Sequence, residues 1–448
     1  MHSTFWKRVK WLSLGNSSLL MGVSFMALSA MVVVQHAYET PKPPEGRGTL
    51  DSVAIWVAHD PAQSLLMITD KTRNVVHLFD PIRNQFLGRL GEPGASSGQL
   101  KRPNGIAVAY NVNTVSGLTD VVFVVERDNN RVSAFSLPER QFLGAFGNKH
   151  LDKPYGIALA RVNGHLQAWI TSTGSSPDRV KVFEVRPGGS GIEGRLLFDF
   201  PVDATLESLV IDPEHDRALI CAESAPYDIR VYNLKGEYQS RFGAGIFTND
   251  PEGIVLYDLG NGEGYYIVAD QEASPTEYEV FDRKTMDYMG NFSGKTSGTD
   301  GIALTQMALP NFPEGSFYAL HSDRAVHAYD WREIARAMNL KTRVTPIPTS
   351  VGMEPGRPPV EFAMVSNYPN PFHPETRIRF WVEKAGRVTL DIVNMRGQVV
   401  QRLVDEAKTP GEYQTTWRAD GSPLPSQLYF LRLQVGRSTY TRKIILLH

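Results

Sequence analysis

One short pattern recurs six times between residues 51 and 304, and it limits the fold more than anything else in the chain. Each copy is a polar residue, a small residue and an alternately apolar run. The copies are Asp51-Ser-Val-Ala-Ile55, Asn104-Gly-Ile-Ala-Val108, Tyr155-Gly-Ile-Ala-Leu159, Glu207-Ser-Leu-Val-Ile211, Glu252-Gly-Ile-Val-Leu256 and Asp300-Gly-Ile-Ala-Leu304. They are spaced 53, 51, 52, 45 and 48 residues apart, against about 40–50 residues for a four-stranded propeller blade. Further short β-branched or aromatic runs follow each copy, such as Leu65–Thr69, Val75–Phe79 and Phe86–Leu90 after the first. Gly, Pro, Asn or Asp bounds them, as expected of strands joined by turns. The pattern predicts an all-β chain with a six-bladed β-propeller over residues 38–342. Only five fourth strands are visible, because the sixth repeat runs into Trp331–Asn339, which reads as a short helix. The segment near residues 40–50 is therefore expected to supply the missing outer strand and close the ring.

In a propeller the first strand of each blade lines the axis. The six openers, Asp51, Asn104, Tyr155, Glu207, Glu252 and Asp300, then stand at equivalent heights, and four of them are carboxylates. Converging carboxylates repel unless a cation sits among them. Ca²⁺ accepts six to eight irregular oxygen ligands, so it suits such a ring. The ends of the second strands add Asp70, Glu126, Glu223, Asp270 and Gln271, and Asp250 leads into Glu252. Lys71, Arg127, Arg179 and Lys181 are interspersed. Acids for a metal beside a few bases suit a phosphorylated ligand. Taken singly, Asp or Asn before Gly is ordinary turn chemistry, and an axial ion can also be purely structural.

The net charge of −2 over 448 residues gives no global attraction to nucleic acid. Cys221, the single cysteine, lies in an apolar run and reads as a small buried hydrophobe. Lys7, Arg8 and Lys10 precede an apolar stretch from Ser18 to Val34. That is the layout of an export signal over residues 1–37, with Ala27-Leu-Ser-Ala30 and Ala37 as cleavage sites, or of an uncleaved anchor. Residues 343–361 are rich in proline and read as a linker. Alternating strands over 362–448 predict a small antiparallel β-sandwich of immunoglobulin-like type. There is no His-Glu-x-x-His or P-loop, and the histidines look scattered. A monomer is expected.

Asp51-Ser-Val-Ala-Ile-Trp-Val57, Ser64–Lys71, Arg102-Pro-Asn-Gly-Ile-Ala-Val108, Asp250-Pro-Glu-Gly-Ile254 and Ser297-Gly-Thr-Asp-Gly301 resemble the β-propeller phytases, over about residues 51–340. The resemblance implies calcium bound by Asp51, Tyr155, Glu207, Glu223, Asp250, Glu252, Gln271 and Asp300. Glu207, Glu252 and Asp300 are then the catalytic acids, and metal-activated water attacks a phosphomonoester of phytate or a related compound. Lys71 matches a phosphate-binding lysine, and Arg127 and Arg179 are further candidates for gripping substrate. Ser52 stands where the family usually has a second acid, and Ala109 where it has a base. Gly91–Val108 and Phe142–Ile157 also resemble NHL repeats, which implies a non-catalytic binding propeller; a propeller lactonase or esterase is a third reading. Asn367-Tyr-Pro-Asn-Pro-Phe372, Asn394-Met-Arg-Gly-Gln398, Trp417 and Thr441–Leu447 resemble the sorting domain of type IX secretion. That resemblance implies a role for the secretion machinery as partner, and a location outside the cell or at its surface. An appended carbohydrate- or protein-binding sandwich is the alternative.

Overall fold

The computed structural model describes residues 32–46, 48–271, 274–348, 365–368, 372–382, 386–409, 411–419, 428–435 and 438–446. Residues 1–31 of the expected export signal and most of the predicted linker lie outside them. The chain is nearly all β. Six antiparallel sheets follow one another between residues 50 and 330. Their innermost strands are Leu50–Trp56, Pro103–Thr114, Pro154–Val162, Leu206–Asp212, Pro251–Gly260 and Ile302–Thr305. Each innermost strand packs against the next, and the sixth packs against the first.

The reason is visible in the apolar alternation. Side chains on both faces of the middle strands are buried, so each sheet needs a neighbour on each side. Six hydrophobic clusters fill the joins between consecutive sheets. The one built on Leu50, Ile68, Tyr318 and Leu320 joins the sixth sheet to the first. Outermost strands such as Gln85–Leu90 are largely exposed instead.

The sixth sheet takes its outer strand from the N-terminal side, from residues 38–40 at the near edge of the expected segment. Tyr38–Glu39 pairs antiparallel with His327–Ala328, and Thr40 exchanges hydrogen bonds with Val326 on both its backbone and its hydroxyl. Residues 41–46 carry three prolines and a glycine and no ladder. Upstream, Val32–Val33 adds a parallel fifth strand to the fifth sheet beside Phe292–Ser293, and Val34 is buried in the cluster between the fifth and sixth sheets. A strap of residues 32–40 thus crosses both sheets, and an N-terminal boundary at residue 37 would cut through it.

The helix Trp331–Met338 is capped by Asp330, whose side chain accepts the Arg332 N–H, and ends at Asn339 in the left-handed conformation. Trp331 is buried and stacks on Tyr257 with ring centres 4.3 Å apart. The chain then stays on the sixth sheet: the Thr345 N–H bonds to the Gln306 carbonyl, and Ile347 packs on the cluster between the sixth and first sheets.

In the C-terminal part, Val365–Tyr368, Glu375–Val382 and Gly411–Arg418 form one sheet. Val399–Lys408, Gly386–Val393, Leu428–Val435 and Ser438–Ile445 form another. Both contribute to one core around Trp417, Tyr429, Ile378 and Leu390. No helix among the described residues is long and apolar enough to cross a membrane.

Candidate metal centre

The openers converge for a local steric reason. The residue after the opener is glycine in four of the six sheets, and the neighbouring strand lies against it. A Cβ at Gly156 would come 2.4 Å from the Glu207 carbonyl oxygen, and one at Gly105 2.6 Å from that of Tyr155. Close approach of the first strands leaves an axial cavity of about 90 Å³ lined by Asp51, Tyr155, Glu207 and Asp300. Aliphatic side chains two places further along, from Val53 to Ile302, supply its apolar wall.

A second tier is set by one hydrogen bond repeated six times. The residue after each second strand donates its N–H to the carbonyl two places before the opener. The donors are Lys71, Arg127, Thr173, Glu223, Gln271 and Ser322, at 2.9 to 3.2 Å. These side chains form a shoulder above the openers. The mouth is divided as a result. Bases stand on the first and second sheets, and acids concentrate on the fourth to sixth.

Carboxylate oxygens of Glu207, Glu223 and Glu252 all lie within 4.8 Å of one another. Burial and then the negative charge of Glu223, Asp300, Asp51 and Asp250 push the Glu252 carboxyl up to about 10. Burial, Asp250 and Asp300 push Glu223 to about 7. Asp300 also rises to about 7, through burial and Asp323, with Lys71 opposing. Tyr155 is held above its ordinary range by burial and the same acids. The Gln271 amide donates to Asp300 at 2.5 Å.

Asp51 is almost completely buried and collects four donors, the Ser52 hydroxyl at 3.4 Å among them. Lys71 Nζ is 2.8 Å away, Asn104 Nδ2 3.2 Å and the Tyr155 hydroxyl 3.4 Å. Lys71 also reaches Asp300 at 3.6 Å. Burial opposes its charge, but Asp51, Asp300 and Asp323 outweigh that and hold the ammonium above its usual range. Arg127 lies over the Tyr155 ring, 5.3 Å from its centre. Asn104 Oδ1 is buried with no hydrogen-bond partner. Several acids pushed toward protonation, with a spare amide oxygen beside them, make a donor set that fits a hard cation.

Several expected site residues do other work. Asp70 is fully buried and bound by His77 at 3.0 Å, Thr72 and the Arg73 N–H. Glu126 is engaged by Arg131, Ser133 and Asn129. Asp270 caps Thr248 and Asn249. All three secure turns. Arg179 pairs with Asp199 on the outer strand of its own sheet, and Lys181 lies 4.0 Å from the same carboxylate. The shoulder position of the third sheet belongs to Thr173, because Arg179 begins the next strand instead of ending the second.

Sequence reading also missed Asp323, the largest charge influence on Asp300. It sits in the turn after the sixth sheet's second strand, one residue past the shoulder position Ser322. The histidines are not all scattered. His36 and His321 stack on opposite sides of His327, with centres 4.1 and 4.5 Å away. Cys221 is fully buried, and its thiol is pushed up to about 12 by burial.

Six sheets in cyclic contact around an acid-lined axis define the class in which comparison with known proteins places the chain. The phytase family model matches residues 9–328, more than two thirds of the length, and the chain belongs to that family. A 3-phytase of Bacillus subtilis (strain 168) is 24% identical over 334 residues, covering 68% of this chain and 84% of that protein. Residues 366–447 match the secretion system C-terminal sorting domain. The chain is therefore a phytase-like hydrolase carrying a sorting domain for export to the cell surface or beyond.

Proposed function

We propose that the protein is an exported, calcium-dependent phosphomonoester hydrolase acting on phytate or a related phosphoester. Its six sheets are read as the blades of a six-bladed propeller, with a two-sheet sandwich at the C-terminus. One observation carries the reading: Glu207, Glu223, Glu252, Asp300 and Asp51 converge at the axis with Lys71 and Arg127 alongside. A platform that only binds a partner through its blades has no need of that many acids at one point.

Asp51, Tyr155, Glu207, Glu223, Asp250, Glu252, Gln271 and Asp300 would hold the cation, with Glu207, Glu252 and Asp300 nearest the chemistry. Bound calcium supplies stabilisation of the charge on phosphoryl oxygens and makes water more acidic. Lys71 and Arg127 orient the phosphate from the basic side of the mouth. Arg179, held by Asp199, is left out of the site. The apolar wall beyond the openers keeps bulk water from entering along the axis.

The test is phosphate release from phytate and from an aryl phosphate, each with and without Ca²⁺. Calcium-dependent release is expected. No release from either at any calcium concentration would overturn the proposal. The parallel reading of the N-terminus is that export processing follows Ala30 and leaves the strap in place.

A further inference from the structure

The acids of the cluster are held by more than their own strands. Thr171, fully buried at the end of the third sheet, donates its Oγ1 hydrogen to the Glu207 carbonyl oxygen at 2.9 Å and accepts the Gly156 N–H at 2.7 Å. Ser208, in the fourth sheet, donates its hydroxyl to the Glu252 carbonyl oxygen. A hydroxyl from one sheet thus grips the backbone of an acid in the next, twice in succession. Among the described residues no hydroxyl reaches the carbonyl of the other four openers.

The two acids so held are two of the three whose oxygens gather within 4.8 Å. Glycine follows Glu252, and it leaves the intervening peptide free to rotate. A bond to that peptide's carbonyl fixes its plane, and with it the direction of the Glu252 Cα–Cβ bond. Cys221 Sγ lies 3.4 Å from Ser208 Oγ. The hydroxyl carries one hydrogen, and the carbonyl takes it.

We infer that Thr171 and Ser208 are positioning residues for a divalent cation, hydroxyl staples that set the spacing of Glu207 and Glu252 across three sheets. The inference rests on the calcium reading above. Removing a staple leaves every ligand in place but lets two of them drift apart. Groups that orient metal ligands without touching the metal typically govern about 10–100-fold in affinity.

The experiment is an equilibrium titration of the full-length exported protein with Tb³⁺, read by tyrosine-sensitised emission, followed by displacement with Ca²⁺. Ser208→Ala and Thr171→Val are compared with Thr171→Ser, which keeps the hydroxyl, and circular dichroism checks that each is folded. About tenfold weaker binding is expected for the first two and near-normal binding for Thr171→Ser. Folded Ser208→Ala with unchanged affinity, in a wild type that binds calcium, overturns the staple and leaves the calcium reading standing. A wild type that binds neither ion overturns both. Equal losses in Thr171→Ser and Thr171→Val would assign the effect to packing and also overturn it. If Thr171→Val does not fold, Ser208→Ala decides alone, because Ser208 is only half-buried and alanine fits its place.

Discussion

Glu223, Glu252 and Asp300 bind protons more tightly in the folded chain than in the unfolded one. A raised folded pKa favours folding at low pH, and that contribution is lost as pH climbs from the ordinary carboxyl range through the folded value. For Glu223 and Asp300 that value is about 7. Cation-free protein is therefore expected to melt at lower temperature at about pH 8 than at about pH 6, with calcium restoring the difference. Melts in chelator and in calcium across that range check it. Calcium binding should release protons, measurable by calorimetry in buffers of different ionisation heat. Lys71→Met removes the cation beside Asp51 and Asp300. It should lower kcat/KM for phosphate esters by about 10²–10³, as loss of a charge-stabilising donor does, without weakening calcium binding. The acids were legible in the sequence because they share a register with Ile-Ala-Val runs. Asp323 was not, because it lies in a turn outside that register. Arg179 misled because a sequence gives order along a strand, not which neighbour the side chain turns toward.

The strap of residues 32–40 is where histidine chemistry meets architecture. His327 lies between His36 and His321, with Thr296 at Nδ1 and Glu39 3.4 Å from Nε2; Lys295 adds positive charge near His36, and Tyr329 meets the His36 ring edge-on. Burial, then His36 and His321, depress the His327 pKa to about 4, against the partial opposition of Glu39. A depressed histidine favours folding fully above its ordinary value of about 6.5, and the contribution falls away as pH drops toward 4. Protection factors of the amides in Tyr288–Ser293 and Ala325–Asp330, corrected for the slower intrinsic exchange in acid, should therefore fall at about pH 4.5 relative to neutral pH. Unchanged protection there would argue against it. Trp331→Ala, which empties the stack on Tyr257, should cost about 3–5 kcal/mol in denaturant unfolding. The inner strands were readable from alternation and turns. The strap was not, because its ladders are two residues long and its histidine partners lie almost 300 positions away. The helix was readable from Asp330 before an apolar stripe.

At the scale of the molecule, apolar wedges between sheets and a divided mouth follow from one repeated unit whose six copies differ mainly at the polar positions. The N-terminus has a direct check. Intact-mass analysis of the exported protein should find Val32 retained, and processing after Ala37 would contradict the strap as described. Truncation to residue 41 should lower the unfolding midpoint while leaving the C-terminal core around Trp417 unaffected. Thr40 and Val326, hydrogen-bonded partners, are 286 residues apart. Contacts of such separation carry a large chain-closure cost and form late. The strap is made early in synthesis and must wait for the fifth and sixth sheets, some 250 to 290 residues later, before it has anything to pair with. Until then the sixth sheet has an open edge. The clasp that finishes the sixth sheet so doubles as a timer, delaying its completion until Ala325–Asp330 has been made.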